Sequence, residues 1–425
     1  MSGPIRDLAE RCWAGAVPAG QLWKPTGQAE ELSPGVVFLH TFANMTVLRT
    51  GAGPVLIDTS NYAARAKTFA LVRSIDPAPV FAAIYTHGHA DHALGLPPFL
   101  AEAGERGWAR PRIVGHRNVA ARFARYRRTN AYNALINARQ FGIEPSWPMD
   151  YDEPDLVYDA QLRFTAGEVT LELHHARGET DDHTWIWWAE RRILWTGDQF
   201  IWVAPNAGNP QKVQRYAADW AASLRAMHAL EPELLIPGHG LPILGRARVG
   251  QALAETAEWL ETLEAQTLDR MNAGATLDAI VAEVRPPAHL AGRPYLQPVY
   301  DEPDYVVRNV WRLNGGWWDG VASHLKPAPE AALGQEVARL AGGVDRLVAR
   351  ARELAGAGDV VLAAHLIDWA VAAAPHDGAA HAARAAIYEA RARDAAALMT
   401  RGIFTAAARE SAARAQPGPR ACPGP

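Results

Sequence analysis

Short apolar runs, each closed by glycine, proline or small polar residues, recur over the first 245 positions. Residues 36–39 and 46–48 read as strands, 51–53 as a turn and 54–58 as the next strand. Residues 61–75 switch to helical spacing through Ala64, Phe69, Leu71 and Val72, and the run 80–85 returns to a buried strand. A short helix around 96–105 leads into a strand at 112–116. Strand signals resume at 161–164, 169–173, 184–188, 193–195 and 234–236, with a helix from about 211 to 229. Opening strands followed by alternating helices and strands predict an α/β domain.

Beyond residue 246 no strand pattern is evident. Residues 246–272 carry a long helical period through Ala252, Thr256, Trp259, Leu260 and Leu263, and 275–284 form another helix. The Pro-rich stretch 286–298 reads as a linker or wrapping loop. Ala-rich helices follow at 335–356, 359–373 and 378–393, the last two folding back as an antiparallel hairpin. No repeat of fixed period marks a solenoid. The tail 416–425, rich in Pro and Gly, is expected to be disordered.

One segment interrupts the strand rhythm. Residues 117–150 form a basic, aromatic helical insertion carrying Arg122, Arg125, Tyr126, Arg127, Arg128, Asn130 and Tyr132. A solvated helix face is the commonest origin of such a run. An anion-receiving lid is a second reading, because guanidinium suits sulfate or phosphate oxygens. A nucleic-acid patch is a third, weakened by the absence of other basic stripes.

Composition narrows the classes. At 425 residues with 49% hydrophobic positions, the chain has material for two or three domains with a large core. A formal net charge of −4 gives no pull toward nucleic acid or anionic membrane. The two cysteines, Cys12 and Cys422, lie near opposite ends, which argues against a disulfide framework and against thiolate zinc sites. No stretch reaches the ~18 uninterrupted apolar residues that span a bilayer, and 1–7 lack the basic start of a leader. The expectation is a soluble, cytoplasmic protein without membrane or nucleic-acid partners. Of the fifteen tryptophans, four cluster at 185–195, where core packing is expected, and three at 311–318, where a pocket or interface is.

Candidate chemistry starts at Thr86-His87-Gly88-His89-Ala90-Asp91-His92, where the chain leaves the strand 80–85. Four metal-ligating side chains within six positions serve two adjacent metals. Imidazole with carboxylate suits zinc first, then iron or manganese. Three later strand ends carry ligand-type side chains: Glu179 or a nearby histidine, Asp198 in Thr-Gly-Asp, and His239 in Pro-Gly-His-Gly.

Together these motifs resemble the metallo-β-lactamase-fold hydrolases, over about residues 33–245. Leu56-Ile57-Asp58-Thr59 resembles the family's early strand with its supporting aspartate. Its usual third motif has a ligand histidine four residues before a second one. Here the second is His183 and the position four earlier is Glu179, which resembles the alkylsulfatase branch. Segments 305–312, 315–320 and 399–403 resemble that branch's helical dimerisation domain. Two departures are an aspartate at 198, where long members have glutamate, and no sterol-carrier-like module after residue 425.

The resemblance implies an αββα sandwich followed by an all-α domain. The divisions are 1–32 as an N-terminal extension, 33–245 as the catalytic domain with the insertion 117–150, 246–302 as helical extension and linker, 303–415 as a dimerisation domain, and the tail. It implies two zinc ions per chain, one on His87, His89 and Glu179, the other on Asp91, His92, Asp198 and His239, with Asp198 bridging. His175 is the rival for Glu179; His174 and His183 are expected to support or pack. Two such ions lower the pKa of a shared water from near 16 to about 7, and Asp91 orients the resulting hydroxide. The implied substrate is a small anionic sulfate ester, alkyl or aryl; a phosphodiester, lactone or β-lactam is the alternative. Expected substrate contacts are Tyr126, Arg127 and Arg128 from the insertion, Asn206, Asn209, Lys212 and Arg215 after Asp198, and Arg312. For Asn209 a helix cap competes with substrate contact. A homodimer through the C-terminal helices is implied.

Overall fold

The early apolar runs assemble into one seven-stranded sheet and the later ones into a six-stranded sheet. The computed structural model describes residues 3–21 and 24–415; the tail 416–425 lies outside them. The described chain divides into two units, one up to Asn130 with Trp147–Trp317, the other Ala131–Ser146 with everything from Trp318 onward.

In the first unit, β1 (Ala29–Ser33), β2 (Val36–Leu39), β3 (Met45–Leu48), β4 (Val55–Ile57), β5 (Ala82–Ile84), β6 (Arg112–His116) and β7 (Leu156–Tyr158) lie side by side in that order. Pairing is antiparallel up to β4 and parallel from β4 to β7. The second sheet holds β8 (Gln161–Ala166), β9 (Val169–His175), β10 (Thr184–Trp188), β11 (Ile193–Gly197), β12 (Leu234–Pro237) and β13 (Ile243–Leu244), also in sequence order. Only β11 and β12 run parallel there. β1 escapes the sequence pattern because Ala-Glu-Glu-Leu-Ser buries little at a sheet edge.

The helices of this unit are α1 (Pro4–Trp13), α2 (Arg65–Ile75), α3 (Ala90–Ala93), α4 (Pro97–Glu105) and α5 (Asn118–Arg128), and, beyond α6 (Asn130–Phe141), α7 (Ala217–Ala229), α8 (Arg246–Asn272), α9 (Leu277–Glu283) and α10 (Pro303–Gly315). Alternation along each strand decides what faces what. Val55, Ile57, Ile84 and Val114 meet Leu171, Leu173, Ile186 and Trp195 of the other sheet in one core. Leu56, Ala83 and Ile113 point the opposite way, into a second core with Val72, Phe99 and Phe123 of α2, α4 and α5. Trp220, Leu224, Leu253 and Leu260 of α7 and α8 belong to the first core. This is the αββα sandwich.

The expected boundary at 303 is not where the described chain divides. Val306, Val307 and Val310 of α10 sit in the sandwich's core. Burying each contributes about 1.5–3 kcal/mol, enough to keep α10 with the first unit.

The second unit is all helical: most of α6, with α11 (Ala322–Leu325), α12 (Glu330–Ala341), α13 (Val344–Gly356), α14 (Val360–Ala373), α15 (Gly378–Asp394) and α16 (Leu398–Ala415). Its core is largely alanine, with Leu347, Ile367, Ile387 and Tyr388 as the larger members. Asp359 caps α14 by accepting the Leu362 N–H, and Asp377 caps α15 by accepting those of Ala379 and Ala380. The insertion 117–150 is thus divided between the units: α5 stays with the sandwich, and the end of α6 abuts Gly402 on α16. Among the described residues no helix is long and apolar enough to cross a membrane.

Candidate metal centre

Strands β4, β5, β11 and β12 end close together, and the side chains just past their ends converge. Asp58 follows β4, His87 to His92 follow β5 into α3, Asp198 follows β11 and His239 follows β12. The loop between β9 and β10 adds Glu179. Ligand atoms of His87, His89, Glu179 and Asp198 lie within 4.8 Å of one another, as do those of Asp91, His92 and His239. Asp198 faces both groups: its Oδ2 is 3.6 Å from His87 Nε2 and 3.5 Å from His239 Nε2, and its Oδ1 is 3.3 Å from His92 Nε2.

Hydrogen bonds on the far nitrogen aim three of the imidazoles. His92 Nδ1 meets Asp58 Oδ2 at 2.7 Å, His239 Nδ1 meets the Phe42 carbonyl at 2.5 Å, and His87 Nδ1 lies 3.0 Å from Thr86 Oγ1. With the proton on Nδ1, each Nε2 is the nitrogen left to face the cluster. Asp58 also accepts the Thr86 N–H and hydroxyl at 2.7 and 2.8 Å, fixing the start of the motif. His87 Nε2 and His89 Nδ1 stand 2.8 Å apart.

Burial, then the neighbouring His92 and His89, holds His87 well below the ordinary histidine range. Burial with Arg122 and Arg215 does the same for His89. For His92 burial pulls downward, but Asp198, Asp58 and Asp91 outweigh it and hold it well above that range. Burial pushes Glu179 up to about 7, with Arg215 opposing.

The donor set can be tested for a cation on its own chemistry. Glu179 Oε2 and Asp198 Oδ1 are buried without a hydrogen-bond partner. Unpaired buried carboxylate oxygens cost several kcal/mol, and a cation among them removes that cost. Four imidazoles and three carboxylates without a thiolate fit a zinc-type ion, with iron or manganese next. Gly238 makes the approach possible: a Cβ there would fall 2.1 Å from Asp198 Oδ1.

Two flanking networks were not evident in the sequence. Asp182 accepts the Gly88 N–H at 2.9 Å and Arg122 Nε at 2.8 Å, both fully inside the protein, and Arg122 also pairs with Asp181. Arg122 therefore braces the loop between His87 and His89. Its signal was its place in the buried stripe Val119, Arg122, Phe123, Tyr126. Asn44 donates to the Pro237 and Gly240 carbonyls at 3.1 and 2.9 Å and pins the His239 turn.

Of the expected substrate contacts, the loop after Asp198 reaches the cluster and the others do not. Arg215 bonds Glu179 Oε1 at 2.7 Å and its carbonyl at 3.0 Å, and Asn206 donates to the same carboxylate. Burial and Arg215 lower Lys212 to about 8, while Asp91 and Glu179 act on it from the cluster. Asn209 Oδ1 accepts the Gln211 N–H at 3.1 Å, and its Nδ2 is buried without a partner. Tyr126 instead packs edge-on to Trp147, Arg127 pairs with Glu153 at 2.8 Å, and Arg128 is exposed. Their helix turns Arg122, not these residues, toward the motif. Arg312 is exposed on α10, whose buried face carries Asn309. His175 stacks on His116 at 3.7 Å, outside both ligand groups, and His174 stacks on Trp185. His183 Nε2 accepts the Asp198 N–H at 3.0 Å, so it steadies the strand end.

Comparison with known proteins finds two matched regions. Residues 40–239 match the metallo-beta-lactamase superfamily and residues 276–414 the alkyl sulfatase dimerisation family. A linear primary-alkylsulfatase of Pseudomonas sp. (strain ATCC 19151) is 26% identical over 342 residues, covering 75% of this chain and 64% of that protein. An (R)-specific secondary-alkylsulfatase of Pseudomonas sp. is 27% identical over 370 residues, covering 81% and 56%. The chain thus spans less than two thirds of these relatives' lengths. The solved stereoselective inverting sec-alkylsulfatase Pisa1 from Pseudomonas sp. superposes with a TM-score of 0.81 at 23% identity, over 93% of this chain and 66% of that one. Its ligand motifs and facing sheets agree with both family matches, a metallo-beta-lactamase superfamily region over residues 40–239 and an alkyl sulfatase dimerisation region over 276–414.

Proposed function

We propose that this protein is a metal-dependent hydrolase of sulfate esters, alkyl or aryl, working with two zinc ions. The observation that carries the reading is a pairing of opposites. Buried acceptors without partners (Glu179 Oε2, Asp198 Oδ1) face the histidines, and buried donors without partners (Asn209 Nδ2, Arg215 Nε) lie in the adjoining loop. The acceptors suit cations and the donors suit an anion. The relatives named as alkylsulfatases support the substrate class.

His87, His89 and Glu179 would hold one ion and Asp91, His92, Asp198 and His239 the other, with Asp198 between them. Such ions, when bound, supply positive charge for an anionic ester and lower the pKa of water to about 7. Asp91 is the least buried carboxylate of the set, with 27% of its side chain exposed. It orients the attacking water at the site's open side. Lys212, still protonated at neutral pH, holds sulfate oxygens with Asn209 as the ester bond breaks to alcohol and sulfate. The match to a dimerisation family supports a homodimer through the C-terminal helices.

The test combines metal analysis with a panel of alkyl and aryl sulfates in ¹⁸O-water. Expected are two zinc equivalents and released sulfate, with label in the alcohol marking C–O cleavage and label in sulfate S–O cleavage. Metal-replete protein that releases no sulfate but opens a lactone, β-lactam or phosphodiester would sink the reading.

A further inference from the structure

The loop carrying Asn206, Asn209, Lys212 and Arg215 has little regular structure, yet it is buried and bonded to Glu179. Its own hydrogen bonds show what holds it. Asp301, fully buried just before α10, accepts the Gly208 N–H at 2.6 Å and the Asn209 N–H at 3.2 Å through Oδ2. Its Oδ1 accepts the Glu302 N–H at 2.8 Å, at the start of that helix. Asn309, two turns along α10, donates to the Gly208 carbonyl. Its Oδ1 accepts Gln214 Nε2 at 2.6 Å and the Arg215 N–H at 3.2 Å. Gly208 lies so close to α10 that a Cβ would fall 2.4 Å from Tyr305 backbone.

A carboxylate sealed from water is costly unless its oxygens are hydrogen-bonded. Asp301 accepts three backbone N–H groups, and two of the three belong to this loop. We infer that Asp301 and Asn309 are positioning residues of the metal centre. They clamp both ends of the loop 206–215 to α10, so that Asn206 and Arg215 hold the Glu179 carboxylate toward His87 and His89. Both lie within the segment matched to the dimerisation family, so a helix of that region serves the site as well. The inference rests on Glu179 as a metal ligand, the reading proposed above.

The test uses the full chain and zinc itself as the probe, titrated against a competing chelator. Compared with wild type are Asp301→Asn, Gly208→Ala and Asn309→Asp, with Arg308→Ala on the exposed face of α10 as control. Asp301→Asn keeps one acceptor and loses the other; Asn309→Asp keeps the acceptor and loses the donor to Gly208. Expected is a 10–100-fold loss of affinity at one zinc equivalent in all three, the usual effect of removing a ligand's support, and none in the control. A purely structural role would lower the melting temperature of the metal-free protein and leave zinc affinity alone; that result overturns the inference. If Asp301→Asn or Gly208→Ala does not fold, Asn309→Asp decides, and wild-type zinc affinity in it is fatal. Wild type that binds two zinc ions yet releases no sulfate sinks the sulfatase reading and leaves this one standing.

Discussion

A guanidinium with 2% of its surface exposed, as Arg122 has, is stable only while its carboxylates stay in place. Removing one partner of a buried pair typically costs 3–5 kcal/mol. Arg122→Ala should therefore lose about that much stability in denaturant unfolding, with Asp182 left charged in the interior. Arg122→Lys should restore little of it, because one ammonium cannot reproduce the fork that meets Asp181 and Asp182. The ligands make a second prediction. Carboxylates hold His92 above its ordinary range and burial raises Glu179 to about 7. Both carry protons in metal-free protein that a cation must displace. Zinc affinity should rise as pH climbs through about 7, and calorimetry in buffers of different ionisation enthalpy should record proton release on binding. At this scale the sequence was legible where chemistry is contiguous, as in His87 to His92, or fixed by an offset, as between Glu179 and His183. Arg122 was hidden among the four arginines of α5, of which only the helical period picks out the buried one. Asp301 and Asn309 left no local trace, since their partners lie about a hundred positions away.

Among the elements, strands with strong alternation or continuous apolar runs were readable, and the polar edge strand β1 was not. The insertion is more instructive. Its basic run suggested one helical insertion, with a solvated face and an anion-receiving lid as rival roles, but the chain breaks between α5 and α6 near Thr129 and the two helices serve different units. Gly402 marks the contact at the far end of α6: a Cβ there would fall 2.4 Å from the Gln140 carbonyl oxygen. Gly402→Ala gains about 1 kcal/mol of helix propensity, whereas overpacking of this kind costs about 1–3 kcal/mol. Because the clash is with backbone, the loss should win. The variant should melt the helical unit at a lower temperature than wild type in thermal unfolding followed by circular dichroism, with zinc content unchanged.

On the scale of the whole molecule, the helical unit exposes large apolar side chains, including Leu340 at 78% and Val361 at 56%. If these helices pair two copies, as proposed, light scattering should give twice the 46.1 kDa chain mass. Leu340→Asp with Val361→Asp should shift the population toward monomer; an unchanged dimer would place the contact elsewhere. The fold's class and its helical C-terminal part were both legible in the sequence, but the point of division was not. The apolar stripe of α10 shows that the helix is buried without showing which core receives it.

The division of the insertion also bears on biosynthesis. The second unit takes its first helix from the first third of the chain and the rest from its end. A ribosome therefore makes α6 about 250 residues before α16, a wait of roughly 12–50 s at ordinary rates of synthesis. For that interval α6 exists without the helices that complete its unit. Chaperone demand during translation should accordingly be concentrated on this one segment, and chains released early should be recognised by it.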